Sequence, residues 1–470
     1  MEGEFLVSAA PEALNLVICC DFGNITGGQA KVAIESAIGL KKQGHRVIYF
    51  AATGPVTPAL EAAEVETVCL GQTDLVGNPS RAAAAMQGTW NFHAAAELAK
   101  LLASLPRDKT LVHVHGWAKA LSPSIGPPIK ASGLPAVFTF HDYFLFCPNG
   151  GFYHYPKSEV CHRQPLSASC WLADCDQRNY VRKLWRNARL LMAQKFVHLT
   201  DVFSDFIALS EFQDGIVRPF IPPAAQLHRL SNPISVSDRG LKENPASGDV
   251  LFVGRLSAEK GAFLFAEAAR KAGLIPTFAG DGPIAAELAA RFPEARLLGW
   301  QNEEQVHALM RGARVLVFPS LWYEGQPLTV LEAKALGLPV IVSDNCAGRD
   351  EVENGVTGLW FKSNDADDLA RALVEMRDDA RVTAMSHAAY RAYWSDPRTL
   401  ERHTRGLLSI YCHMLDRPGR ATASLPVSPS SQHAELPRNE VAAKDQLPSS
   451  VHSIFPLSAA AARWNKQHAG

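Results

Sequence analysis

Two cations and two carboxylates in the second half of the chain have the types and placement needed to manage a negatively charged leaving group. Arg255 and Lys260 fall in GRLSAEKG, Gly254 to Gly261, a turn that follows an apolar run. Glu324 and Glu332 fall in Phe318 to Ser343, FPSLWYEGQPLTVLEAKALGLPVIVS, with seven residues between them. An Arg and a Lys at one site can neutralise a departing diphosphate without a metal. A carboxylate such as Glu332 accepts two neighbouring hydroxyls at once, which suits a ribose. Glu324, in the loop, suits a sugar hydroxyl or a developing oxocarbenium charge. Spacing alone does not establish this, because Glu259 and Glu267 are also eight apart. Context separates the two pairs: strand, loop, Pro327-started helix with an exit at Gly337, strand. Solvated charges in an ordinary strand-to-helix turn are the plain alternative for Arg255 and Lys260, since short motifs specify function loosely.

Other positions join this set. GDGP (Gly280–Pro283) and LGW (Leu298–Trp300) close the next two strands, where a nucleobase could lie against backbone groups and an apolar wall, although turn chemistry explains both equally well. In the first half, Gly27-Gly28 forms a turn, and His141 in FTFHDYF ends a strand, where an imidazole can bond a sugar hydroxyl or shuttle a proton. A His satisfied by local backbone is the plain reading of any single one, and His113-Val-His115 reads as simple alternation along a strand. Cys147, Cys161, Cys170 and Cys175 lie within one long connection, 142–179. Four soft ligands there could make a structural zinc site, although the spacing lacks paired C-x2-C knuckles, and free or redox-active thiols are the alternative. From Gln177 to Thr200 the cations Arg178, Arg182, Lys183, Arg186, Arg189 and Lys195 occur with no acidic residue until Asp201. Val181, Leu184, Trp185, Ala188, Met192 and Phe196 share one helical face. That pattern predicts either a basic amphipathic helix on an anionic membrane leaflet or a core-packing helix with a solvated charged face.

The elements that would position these residues alternate along the chain. Apolar runs at Leu14–Cys20, His45–Ala52, Glu66–Leu70, Thr110–His115, Ala136–His141 and Phe206–Ser210 alternate with helical patterns. A second series runs Val250–Gly254, Pro276–Ala279, Ala295–Gly299, Arg314–Phe318, Val340–Ser343 and Gly358–Phe361. Such alternation implies parallel sheets with right-handed crossovers, and ligands at the carboxyl ends of the strands. The expected divisions are an N-terminal domain over 1–233 carrying the insertion 142–179 and a C-terminal domain over 249–390. Helices over 391–416 would pack back on the first domain, and a disordered tail would fill 417–470.

The 470 residues are 47% apolar with a net charge of −1, enough for two cores and unlike a protein held to nucleic acid by bulk positive charge. No apolar run approaches the ~18 residues of a spanning helix. Nine cysteines without a secretion signal fit a reducing cytoplasmic setting, with membrane association left open.

The run GRLSAEKG…GDGP…LGW…FPSLWYEGQPLTVLEAKALGLPVIVSD…NGVTGLWF resembles the retaining GT-B glycosyltransferases of family four, in order and across the second half. The resemblance implies an α/β GT-B fold, two Rossmann-like doubly wound domains facing across a cleft. It implies a hexosyltransferase acting without a required metal or other cofactor. The donor is a nucleotide sugar, and the acceptor a glycan or lipid-linked hydroxyl of cell-surface polysaccharide or glycoconjugate synthesis. Arg255 and Lys260 match the family's basic pair, Glu324 and Glu332 its glutamates, and His141 its active-site histidine. The expected donor-binding set is Gly27, Gly28, Gly254, Gly282, Trp300, Gly325, Gln326, Leu328 and Glu332. One departure stands out: CAGRDEVENG replaces a Gly-Gly-rich loop, so that Asp350 falls where a Glu is usual. A sugar-nucleotide epimerase or hydrolase on this architecture, or a non-catalytic sugar-nucleotide-binding scaffold, are the rival readings.

Overall fold

The computed structural model describes residues 13–417; residues 418–470, the greater part of the expected tail, lie outside it. Fifteen strands occur in this span, in chain order β1 Asn15–Phe22, β2 Arg46–Thr53, β3 Glu66–Gln72, β4 Thr110–Val114, β5 Ala136–Thr139, β6 Tyr153–His154, β7 Glu159–Val160, β8 Asp205–Ala208, β9 Gln226–Arg229, β10 Val250–Val253, β11 Pro276–Ala279, β12 Arg296–Leu297, β13 Val315–Phe318, β14 Val340–Ser343 and β15 Gly358–Phe361. They form a seven-stranded sheet ordered β3-β2-β1-β4-β5-β8-β9, a six-stranded sheet ordered β12-β11-β10-β13-β14-β15, and the isolated antiparallel pair β6–β7. Both large sheets are parallel throughout.

Burial on both faces explains why the strands read as apolar runs rather than alternations. Along β1, Val17 and Cys19 enter one core while Leu16, Ile18 and Cys20 enter another on the opposite face. Along β10, Val250 and Phe252 divide from Leu251 and Val253 in the same way. Each fully buried Val, Leu, Ile or Phe contributes roughly 1.5–3 kcal/mol relative to exposure.

The strand order reverses direction between β1 and β4 in the first sheet and between β10 and β13 in the second. These are the switch points at which open α/β sheets hold ligands, beyond the carboxyl ends of the strands. The loops leaving them are Gly23–Gly27, the turn at His115–Gly116, Gly254–Lys260 and Pro319–Pro327.

The chain crosses between sheets through residues 230–249 without regular structure. It returns through the helix Leu400–Leu415, whose Leu407, Ile410, Tyr411 and Met414 complete the core around β1 and β2. His403 on that helix bonds Ser36 Oγ at 3.1 Å and Ser231 O at 2.8 Å. The preceding helix, Asp379–Trp394, packs on the second domain and runs unbroken through the expected boundary at residue 390. The helix Arg81–Thr89 precedes Phe92–Ala103 as a separate element. Asn91, a side-chain N-cap, starts the second.

Candidate active site

The second sheet builds one rim from four strand ends. Gly254 after β10 has φ +152° and Gly280 after β11 has φ +146°, conformations that favour glycine. A Cβ on Gly280 would stand 1.9 Å from Gly254 O, and one on Gly282 2.2 Å from Leu256 O. The backbones therefore nest in tiers, with Gly254 N–H donating to Ala279 O at 3.0 Å and Gly280 N–H to Gly299 O at 2.8 Å. Beside Gly299, Trp300 is 75% exposed and stands out in solvent rather than forming a closed apolar wall.

Each cation is held by a carboxylate. Lys260 Nζ lies 2.7 Å from Glu324 Oε1, which also accepts from Ser320 Oγ at 2.7 Å. The ammonium sits over the Trp322 ring, 5.3 Å from its centroid. Arg255 Nη2 lies 2.5 Å from Glu259 Oε1, and Ser257 Oγ donates to the same oxygen at 2.8 Å. Glu259 is fully buried, so the residue whose spacing looked like coincidence is what aims Arg255. Its partner in that coincidence, Glu267, is an exposed helix residue facing Lys271. The Arg255-to-Glu259 spacing of four was the available signal, since residues four apart meet over one turn.

Glu332 belongs to the helix Leu328–Ala335, whose N-cap is Pro327 rather than its first turn. Burial pushes its carboxyl up to about 7, with Glu303 and Glu35 adding to the rise and Lys31 opposing it. Lys31 and Glu35 come from the first domain's helix Gly28–Lys42, and Lys31 bridges to Glu303 at 3.0 Å. Nothing local to Glu332 in the sequence points to Lys31.

Gly28 opens that helix, and a Cβ on it would lie 3.9 Å from Leu328 Cδ1. Two helix N-termini, at Gly27–Gly28 and at Leu328, thus face each other across the crevice, each offering unpaired N–H groups and positive dipole ends. Gln326, expected at the donor, instead holds the interdomain connection: its Oε1 accepts from Asn232 N–H at 2.7 Å and its Nε2 donates to Ser231 Oγ at 2.9 Å. Gly325 O accepts from Ser210 Oγ at 2.7 Å. Asp350 is likewise an interdomain tie, its Oδ2 accepting the Phe212 N–H at 2.7 Å near the start of helix Glu211–Val217.

His141 leaves β5 on the facing rim and shares a 2.9 Å hydrogen bond with His115, whose ring stacks on it at 5.2 Å. His113 lies one layer deeper, bonded to Tyr411 at 2.6 Å and Thr139 at 2.7 Å. Burial, then the charges of His403 and Lys119, hold His141 down at about 3, and His115 and His113 also lie well below the usual imidazole range. His141 is therefore a neutral hydrogen-bonding group rather than the neutral-pH proton shuttle its side-chain type suggested. His115 is more than an alternation of faces: it orients His141.

The helix Tyr180–Leu191 corrects the expected core-packing arrangement with a solvated charged face. Lys183 and Arg189 are buried, while Val181 and Phe196 are 74% and 70% exposed. Arg189 donates to Ala118 O at 2.6 Å and lies against Trp117, Phe144 and Trp185; Arg186 pairs with Asp176 at 3.2 Å. A polarity wheel assumed that charge faces water, but aromatic faces and carbonyls accept guanidinium in the interior. Trp185 docks on the helix Arg81–Thr89, bonding Ala85 O and Thr89 Oγ1 at 3.2 Å each. Among the described residues no helix is long and apolar enough to cross a membrane.

All nine cysteines are free thiols. Cys147, Cys161, Cys170 and Cys175 line a common cavity. Burial pushes the Cys147 thiol up and that of Cys175 up to about 11. Among the described residues, no three His, Cys, Asp or Glu side chains converge on a point as a metal would require. The insertion also touches the rim: a Cβ on Gly151 would lie 2.6 Å from the Trp322 ring, and Phe152 lies 6.5 Å from Tyr323 between centroids.

Two Rossmann-like sheets whose switch points face one another across a crevice define the GT-B class. The family described as Glycosyl transferases group 1 matches residues 236–392, and that described as Glycosyltransferase Family 4 matches residues 26–237. The chain belongs to the group 1/family 4 glycosyltransferases. It is 32% identical over 206 residues to the UDP-Gal:alpha-D-GlcNAc-diphosphoundecaprenol alpha-1,3-galactosyltransferase of Escherichia coli, covering 41% of this chain and 51% of that protein. The chain thus spans about half that relative's length, and 35% of the amylovoran biosynthesis glycosyltransferase AmsK of Erwinia amylovora, to which it is 29% identical over 143 residues, 27% of this chain. In fold it is similar to a glycosyltransferase from Rickettsia africae (TM-score 0.61, 15% identity, 86% of this chain, 100% of that one). It is also similar to HepE from Anabaena in complex with UDP and glucose (TM-score 0.59, 14% identity, 85% of this chain, 100% of that one).

Proposed function

We propose that this chain is a retaining hexosyltransferase that moves a sugar from a UDP-hexose to a hydroxyl of a lipid-linked glycan. The observation that supports it best is the pair of carboxylate-held cations at the second sheet's switch point, Lys260 on Glu324 and Arg255 on Glu259, together with the close approach of the helices that begin at Gly28 and Leu328. In this reading the diphosphate lies between the helix N-termini and the two cations. As the anomeric C–O bond breaks, its electron pair passes to the leaving phosphate oxygen, and Arg255 and Lys260 stabilise that charge through preorganised contacts. The acceptor hydroxyl attacks from the same face, forms the new glycosidic bond and gives its proton to a donor phosphate oxygen. Glu332 takes the ribose hydroxyls. Glu324 and the neutral His141 orient the sugar, and His115 holds His141 in place.

The choice of UDP and of a lipid-linked acceptor follows similar proteins: a UDP-Gal donor and a diphosphoundecaprenol acceptor for the E. coli galactosyltransferase, and UDP in HepE. A membrane-facing surface agrees with that choice. Val181, Leu172 and Met86 are exposed, and Arg182, next to Val181 in the chain, feels the charges of Arg178 and Arg81. Apolar side chains among cations suit an anionic leaflet.

The test is transfer from UDP-galactose and UDP-glucose to an undecaprenyl-diphosphate-linked sugar, with the product's anomeric configuration read by NMR. An α-linked product supports the reading. Conversion of the donor with no acceptor present favours the epimerase or hydrolase, and binding without turnover favours the scaffold.

A further inference from the structure

The insertion at 142–179 has little regular structure of its own: the two-residue strands β6 and β7, a single 3-10 turn at Tyr155–Lys157 and the five-residue helix Ala168–Leu172. Phe152, Ser158 and Leu166 all carry left-handed φ, at 47°, 52° and 58°. A connection of this length needs another source of order. Inside it, Cys147, Cys161, Cys170 and Cys175 surround one small cavity, with Arg163 and Lys183 in the same wall.

Every one of the four sulfurs faces a hydrogen-bond donor. The amides of Asn149, Gly151 and Phe152 point at Cys147 Sγ. Arg163 Nη1 is 3.6 Å from Cys161 Sγ, Lys183 Nζ is 3.4 Å from Cys170 Sγ, and Asn149 Nδ2 is 3.1 Å from Cys175 Sγ. Neutral thiols are weak acceptors. Lys183 is 1% exposed, and the group it donates to is a sulfur rather than a carboxylate. An ammonium withdrawn from water needs countercharge, and four thiols supply none.

We propose that Cys147, Cys161, Cys170 and Cys175 bind one soft divalent cation of the zinc class as four thiolates, with Lys183 and Arg163 as outer donors to the sulfurs. Four thiolates around a divalent ion leave two negative charges, which would supply the countercharge that the buried Lys183 lacks. Binding forms four sulfur–metal bonds and releases four thiol protons to solvent. With all four positions taken by protein the site is closed, as structural sites are. The sulfurs do not converge as placed. Closing the set therefore requires side-chain rotation and loop movement at Cys147, Cys161 and Cys175, which lie outside helices and strands. Gly151 and Phe152, four and five residues after Cys147, back the loop that carries Trp322 and Tyr323, so the ion would stiffen one wall of the crevice. The inference is independent of the sugar and acceptor chosen above.

The experiment is elemental analysis of the reduced full-length protein by inductively coupled plasma mass spectrometry, with zinc and iron read separately. About one equivalent per chain, released when a mercurial blocks the thiols, is the expected result. Protein from zinc-supplemented culture that holds no stoichiometric metal and takes up none on titration with zinc chloride overturns the proposal. Disulfides among these cysteines in alkylation mass spectrometry overturn it as well. Lys183→Met tests the outer donor: chelator competition should show zinc affinity lowered 10–100-fold with the far-UV circular dichroism unchanged. Unaltered affinity would remove Lys183 from the site.

Discussion

Replacing Glu332 by Gln should push the stability of the free protein and its hold on the donor in opposite directions. Burial raises this carboxyl from 4.5 to about 7, so the folded chain binds the proton more tightly than the unfolded chain does. The penalty for ionising it is therefore absent below about pH 4.5, grows as pH rises to about 7 and is complete above that. At about 1.4 kcal/mol for each factor of ten in proton affinity, it amounts to about 3 kcal/mol at pH 8. Gln imitates the protonated acid, so E332Q without donor should denature later than the natural chain at pH 8, with the gap closing toward pH 5. If the ionised carboxylate binds ribose, donor affinity carries the reverse dependence. About half the population is ionised at pH 7 and about a tenth at pH 6, so the apparent Kd for a UDP-hexose should rise about tenfold from pH 8 to pH 6. The donor's diphosphate diester does not titrate in this range. Calorimetric titration at constant ionic strength reads the affinity, and urea unfolding reads the stability. In E332Q, binding should be weak and flat with pH. A natural-chain affinity that stays level from pH 8 to 6, or an E332Q variant that binds donor as well as the natural chain, would refute the assignment of Glu332 to the ribose.

Arg255→Ala and Lys260→Ala should each slow transfer by about 10²–10³-fold with smaller losses in donor binding, since their charge is used most as the leaving group departs; steady-state kinetics with saturating donor distinguishes the two effects. Gly280→Ala places a methyl against Gly254 O at a φ that side chains rarely adopt, and should cost about 2 kcal/mol or more in urea unfolding. Because burial keeps His141 neutral, the transfer rate should show no histidine ionisation between pH 6 and 8, and a bell with a limb near 6.5 that vanishes in His141→Asn would contradict the structure. Val181→Asp with Leu172→Asp should abolish cosedimentation with phosphatidylglycerol vesicles while leaving donor binding intact; unchanged cosedimentation would remove this surface from any membrane role.

Much of the fold was legible because its signals are local. Strands buried on both faces appear as apolar runs, the helix after Pro327 stops before Gly337, and the loops at strand ends are where chemistry in such sheets must gather. GRLSAEKG and the segment from Phe318 to Ser343 could therefore be assigned to one rim from the chain alone. What escaped depended on partners distant in sequence. Whether Lys183 and Arg189 face water or the interior is decided by Trp117, Phe144 and Cys170, which no helical wheel contains. Gln326 and Asp350 became interdomain ties only because Asn232 and Phe212 fold against them. Glu332 owes its raised affinity for a proton to burial, opposed most by Lys31 on a helix some three hundred residues earlier in the chain. Residue types and their order determined which groups are available and on which strand end they stand. The tertiary structure decided their protonation, their exposure and their neighbours, because solvation and Coulomb interactions depend on distance in space rather than separation along the chain.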